Sequence, residues 1–175
     1  MVCHTRQQGF SLIEVLVTLV VLSVGIMGAA GLQFSAMRAN EEALQRTRAT
    51  LLVEGMIERI RANAAEAGLK AYATNTSVMP SSTTQTCTQS SDGPAAVAQY
   101  DICEWQRELA LDGSNGGFRN AQGCISVSAN EVTVALAWQG TGATTAQGEC
   151  GDDAISVARK DVVLKTVVYS ADGSS

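Results

Sequence analysis

Gly9-Phe10-Ser11-Leu12-Ile13-Glu14-Val15-Leu16-Val17 opens a run that stays apolar as far as Leu32 and carries a single charge, Glu14, between Phe10 and Leu32. A helix over those residues, rising about 1.5 Å per residue, is long enough to cross a hydrocarbon core about 30 Å thick. Arg6 precedes the run and Arg38 follows it. Such thin flanking charge decides little about orientation, and a short exported leader argues for a cytoplasmic N-terminus. An ordinary secretory signal needs a richer basic region and a shorter apolar one, although Gly28-Ala29-Ala30 imitates its cleavage site. A plain signal anchor explains the length but not the acid, because a charge within hydrocarbon costs about 2.5–3.5 kcal/mol on insertion scales. Something must be gained by keeping Glu14.

Further along, Gly25, Gly28 and Gly31 recur every third residue. Small residues at that spacing allow close helix packing, and each weakens the helix by about 1 kcal/mol relative to Ala. A helix that loosens on leaving the bilayer and an ordinary membrane helix both fit that pattern. From Met37 to Ala67 the chain turns amphipathic. Leu44, Leu51, Leu52, Met56, Ile57 and Ile60 keep helical spacing while Glu and Arg fill the other faces. Glu42 and Arg46 are oriented as a supporting i,i+4 pair. No proline interrupts Phe10 to Ala67, so one continuous helix is expected, ending near Gly68.

The C-terminal part reads as a small head. Thr74 to Gly93 is rich in Ser, Thr, Asn and Gln, with Pro80 and Pro94 as breakers, and is expected to be an exposed connection. A second helix follows, with Val97, Ile102, Trp105 and Leu109 on one face and Asp112-Gly113 at its end. Cys124 to Ser128 and Glu131 to Trp138 alternate as strands around an Ala129-Asn130 turn, with Val132, Val134, Leu136 and Trp138 sharing a face. Gln139 to Asp153 is a Gly/Thr loop. Ile155 to Tyr169 supplies one long strand, or a hairpin around Arg159-Lys160, in which Val162, Leu164, Thr166 and Val168 alternate against Val163, Lys165, Val167 and Tyr169. The expected fold is α+β: a long helix packed on an antiparallel sheet of three or four strands.

The N-terminal residues carry a resemblance. Gly9 to Val17 resembles the signal of type IV pilins and type II secretion pseudopilins, and the match is specific. It implies a leader of residues 1–9 cut after Gly9 by a prepilin peptidase, methylation of the new Phe10 amine, and an apolar helix that stays attached. Gly9, lacking a Cβ, lets the peptide bond before Phe10 lie close against a protease. Glu14 stands one turn beyond Phe10, near the positive end of the helix dipole. The resemblance implies that it pairs with the Phe10 amine of a neighbouring subunit, relieving two buried charges together and checking register. On this reading residues 10–68 form the N-terminal helix, with 10–32 as membrane span and fibre core, and 69–175 form a periplasmic head. Leu22 to Gln33, Tyr100 to Trp105 and Val134 to Gly140 are similar to PilV-type minor pilins of type IVa pili. That likeness implies a role in starting the fibre, with twitching motility and adhesion as outputs. Its implied partners are other minor pilins, the major pilin and the inner-membrane assembly platform. The chain lacks the membrane-helix proline and terminal Cys pair of common major pilins.

The cysteines fit such a head. Of five, Cys3 falls in the implied leader, leaving Cys87, Cys103, Cys124 and Cys150. Four cysteines in a small exported domain argue for two disulfides. A zinc site is the weaker reading, because no C-x-x-C pair occurs and the one histidine, His4, lies in the leader. Three pairings remain open on sequence alone; Cys87 with Cys103 and Cys124 with Cys150 is the expected one, since it ties neighbouring segments.

Net charge −5 and the lack of a Lys/Arg cluster leave no footprint for nucleic acid. An anchored enzyme is the reading from another class. The mature chain would hold no histidine, and it shows no G-x-S-x-G elbow, phosphate loop or metal-ligand spacing. Asp152-Asp153 reads as a solvated loop pair, and no EF-hand spacing surrounds it. No cofactor is expected. An adhesin acting through the Thr74 to Gly93 or Gln139 to Asp153 loop is a further possibility, as is a pseudopilin of a type II secretion system.

Overall fold

A computed structural model of the chain describes residues 9, 11–73, 84–89, 92–114, 117–140, 150–151 and 158–170. Its elements in chain order are helices α1 (Leu12–Ala62), α2 (Glu66–Tyr72) and α3 (Pro94–Ser114), then strands β1 (Arg119–Ser128), β2 (Glu131–Gln139) and β3 (Arg159–Val167). The chain divides into two compact units, Met1–Glu42 and Ala43–Ser175, so the second unit begins inside α1, well before residue 69.

In the first unit, α1 passes through Gly25, Gly28 and Gly31 without a break. Its apolar side chains are exposed, from Leu12 and Ile13 through Leu22 to Leu32 and Phe34. Two hydroxyl residues of the apolar stretch turn inward on their own helix: Thr18 Oγ1 donates to Val15 O at 2.8 Å and Ser23 Oγ to Leu19 O at 2.7 Å. These two hydroxyls therefore bring no unpaired donor into an apolar medium.

In the second unit, α1 buries Ala49, Val53, Met56, Ile57 and Ile60. The expected stripe is therefore corrected at its start, because Leu44 and Leu51 remain 52% and 62% exposed. Leu51, Leu52 and Val53 stand in a row, so apolar residues occur on several faces, and the core covers the one that carries Ala49 and Val53.

The end of α1 also differs. It stops at Ala62, and α2 begins four residues later. The Asn63 N–H donates to both Arg59 O and Ile60 O, while its Nδ2 donates to Pro94 O at 2.7 Å. That bond, to a residue 31 positions away, holds the turn. Gly68 sits inside α2, where a Cβ would come within 2.7 Å of Asn63 O; it permits close packing and does not stop α1.

The first residue of α3 is Pro94, which has no N–H to leave unpaired at a helix start. Gly93 O accepts from the Ala96 and Val97 amides. The buried stripe is Ala98, Trp105 and Leu109, with Ile102 partly buried; Ala98 takes the place expected of Val97.

The sheet has the order β1-β2-β3 with antiparallel pairing throughout. Strand β1 starts at Arg119, five residues before the expected start at Cys124, with an irregularity between Arg119 and Gln122. The stretch Arg119 to Gly123 lacks β-branched residues and gives no strand signal of its own. Arg159 and Lys160 lie opposite Gln139 and Trp138, so they belong to a strand and not to a hairpin turn. Val132, Val134, Leu136 and Trp138 face the main core, as alternation requires. Ala135 and Ala137 are buried on the opposite face with Cys150, where alternation alone would have exposed them.

Two disulfides staple the head, Cys87–Cys103 and Cys124–Cys150, with sequence separations of 16 and 26. In the chain-entropy account each contributes about 3 kcal/mol. Replacing Cys124 and Cys150 by Ala is expected to lower the unfolding free energy by about that amount, read as a fall in denaturation midpoint in urea. An unchanged midpoint would show that the bridge merely decorates the outer sheet face.

A part-buried polar knot joins the three helices. Tyr72, fully buried, donates its hydroxyl to Asp101 Oδ2. Arg59 donates Nη2 to Glu108 Oε1 at 2.5 Å and Nη1 to Asp101 O at 3.4 Å. Burial, then the bond to Asp101, holds the Tyr72 phenol well above the usual tyrosine range. Its folded pKa therefore exceeds the unfolded one, and the stabilisation is complete below about pH 10 and lost as pH rises beyond. Tyr72→Phe should flatten the alkaline limb of a stability–pH curve; an unchanged limb would mean that other groups govern it.

Candidate functional site

The residues singled out at the N-terminus lie on and just before the first turn of α1. Ser11 O accepts from the Glu14 N–H at 3.0 Å and the Val15 N–H at 3.3 Å, closing that turn. This places Glu14 among the free amides of the helix start, where a carboxylate is favoured. The side chain is exposed and makes no ion pair among the described residues. Leu12, Ile13, Val15 and Leu16 surround it, all exposed. No charged residue lies between Glu14 and Arg38. Gly9 is exposed with open space where a Cβ would stand; Phe10 and residues 1–8 lie outside the described residues.

An isolated acid on an otherwise apolar helix satisfies nothing within its own subunit. What it can do is accept a cation brought to it in an apolar setting, where a charge pair is worth far more than in water. One stretch of α1 is long and apolar enough to cross a membrane.

The other singled-out residues form a separate group in the head. Cys87 is joined to Cys103 on α3, and Cys124 on β1 to Cys150. They hold segments together. Among the described residues there is no gathering of three or more His, Cys, Asp or Glu. Residues 74–83 and 141–149, where the sequence leads one to expect loops, lie outside the described residues together with Asp152-Asp153.

Sequence reasoning missed the groups that lock the helix half of the head to the sheet. Gln45 accepts from Trp138 Nε1 at 3.2 Å and donates Nε2 to Gly117 O at 3.1 Å. Phe118 lies against Trp138 with ring centroids 5.2 Å apart. A lone Gln on a helix carries no signal of such a role. The unusual conjunction of an indole N–H and a polar residue at matching depths exists only after folding.

Two family models match. Residues 4–30 match the prokaryotic N-terminal methylation motif, and residues 31–103 match the model described as type IV pilin Tt1218. Neither the curated proteins nor the solved structures give a match. The first match defines the class, a protein that carries the N-terminal methylation motif of prepilins. The second adjoins it and takes in the remainder of α1, α2 and part of α3; with the long helix, the antiparallel sheet and the two disulfides, the chain belongs to the type IV pilins. Pilins of this family are structural subunits. The motif implies processing by a peptidase and assembly with other pilins, and the apolar helix behind it fits membrane anchoring before assembly.

Proposed function

We propose that this chain is a minor pilin of a type IVa pilus, a structural subunit without catalytic activity that helps to start and assemble the fibre and so supports twitching motility and adhesion. The observation that carries the assembly reading is Glu14, an exposed acid without an ion-pair partner among the described residues, in the first turn of an otherwise apolar helix stretch. Prepilin peptidase cuts after Gly9, and the Phe10 amine is methylated. The apolar helix first anchors the subunit in the inner membrane with its head in the periplasm, then joins the fibre core beside the helices of other minor pilins and the major pilin. Glu14 accepts the Phe10 ammonium of a neighbour at that step, and the assembly platform in the inner membrane supplies the setting.

The similarity of Leu22 to Gln33, Tyr100 to Trp105 and Val134 to Gly140 to PilV-type subunits supports the minor role. The pseudopilin of a type II secretion system shares the N-terminal chemistry and is the competing assignment. Mass spectrometry of the mature protein is expected to give a methylated Phe10 as first residue and two intact disulfides. A first residue at Gly31 would instead mean a secreted protein without an anchor. Deletion of the gene is expected to abolish surface fibres and leave secretion intact; the reverse result selects the pseudopilin.

A further inference from the structure

Strand β3 begins with a side chain that has two donor atoms without a partner among the described residues. Arg159 is 5% exposed, and its Nε and Nη2 are both buried with no hydrogen-bond partner among the described residues. It lies opposite Gln139 on β2, and the Gln139 Oε1 already accepts from Asn120 Nδ2 at 2.9 Å. Asp161, two residues along on the same face, makes no ion pair with it among the described residues. Arg159 shares that sheet face with Ala135 and Ala137, the side opposite the main core.

A guanidinium keeps its proton at any pH the protein meets, so burial cannot neutralise it. The two orphaned atoms are also adjacent: Nε–H and Nη2–H form one edge of the group, two parallel donors at the spacing of the two oxygens of a carboxylate. The chain as a whole is acidic, with 12 Lys and Arg against 17 Asp and Glu. A desolvated cation here is not the by-product of a basic surface.

We propose that Arg159 is a carboxylate-binding site, its Nε/Nη2 edge taking both oxygens of a carboxylate that comes from outside the folded head. Because both donors are closed to solvent, the ligand must replace covering groups, which favours an anion that satisfies both donors over a hydrated spherical one. The carboxylate has two sources of the same chemistry, an acidic side chain on a second copy of this chain or a small free carboxylate. The site is independent of Glu14 and of the N-terminal chemistry.

The experiment follows the Arg159 Nε–Hε resonance in the full ¹⁵N-labelled chain in detergent micelles, assigned by its loss in Arg159→Lys, or in Arg159→Gln if the first variant fails to fold. Adding acetate is expected to move that proton downfield and slow its exchange with water about tenfold, as a charge-assisted bond replaces an unmet donor; chloride at equal ionic strength should do neither. In a second arm, unlabelled chain is added at rising concentration without acetate. The same response there assigns the carboxylate to a second copy, and a response to acetate alone assigns a free one. The proposal is overturned if neither arm responds. It is equally overturned if the dilute chain without acetate already shows the shifted, slowly exchanging resonance, since an acid of its own would then hold the fork.

Discussion

Glu14→Ala is expected to leave leader cleavage and the head intact while removing the subunit from assembled fibres. The side chain makes no ion pair among the described residues and belongs to a different compact unit from the head, so the unfolding midpoint of the head should not move. Membrane insertion should even become easier, because a charge no longer enters hydrocarbon. The effect falls on assembly. Without the acid, the ammonium of an adjoining subunit is buried alone, and breaking one partner of a buried pair costs roughly 3–5 kcal/mol, enough to reduce incorporation more than a hundredfold. Glu14→Gln should behave nearly as badly, since it keeps shape and loses charge. Quantitative blotting of sheared fibres against total cell protein reads the ratio directly. Fibre incorporation of Glu14→Ala at the parental level would end the charge-pairing account.

The second large effect lies in the head. Gly123→Val should cost about 3 kcal/mol or more, at the upper end of what overpacked cores show. Gly123 lies opposite Leu136 within the β1–β2 ladder. A Cβ there would run into the Trp105 ring, with Cζ2 at 3.2 Å and the outer ring atoms closer still. Trp105 is 1% exposed and packed in the main core, so the ring has nowhere to retreat. Removing the outer ring supplies the check. In the pair Gly123→Ala and Trp105→Phe, the double variant should be more stable than the sum of the single losses predicts, with a coupling of about 1–3 kcal/mol. Denaturant unfolding of the four proteins measures it. Strict additivity would mean that the strand moves away from α3 and the close contact is not needed.

Those two residues were legible to very different degrees. Glu14 announced itself because a charge in an apolar run is expensive, and expense is visible without coordinates. Gly123 sat unremarked in Arg119 to Gly123, where no local preference for a strand exists. Its role depends on a tryptophan eighteen positions earlier, delivered by another element. The strands at Glu131 and after Arg159 were readable because one face meets the core and one does not. That reasoning fails at Ala135 and Ala137, where the Cys124–Cys150 bridge brings cover to the second face. Trp138 was placed correctly on the core face, but its hydrogen bond to Gln45 spans 93 positions and no period encodes it.

By itself the sequence determined the long apolar helix, the acid at its first turn and the alternation that makes a sheet, since each follows from solvation of neighbouring residues. Only the tertiary structure decided where α1 ends, which of its apolar faces is covered, why Gly68 and Gly123 must be glycine, and that Arg159 is buried with two donors unmet among the described residues. Those outcomes depend on which distant groups arrive at the same place. Solvent preference is a property of each residue, whereas a close approach or a missing partner belongs to pairs that the chain brings together only when it folds.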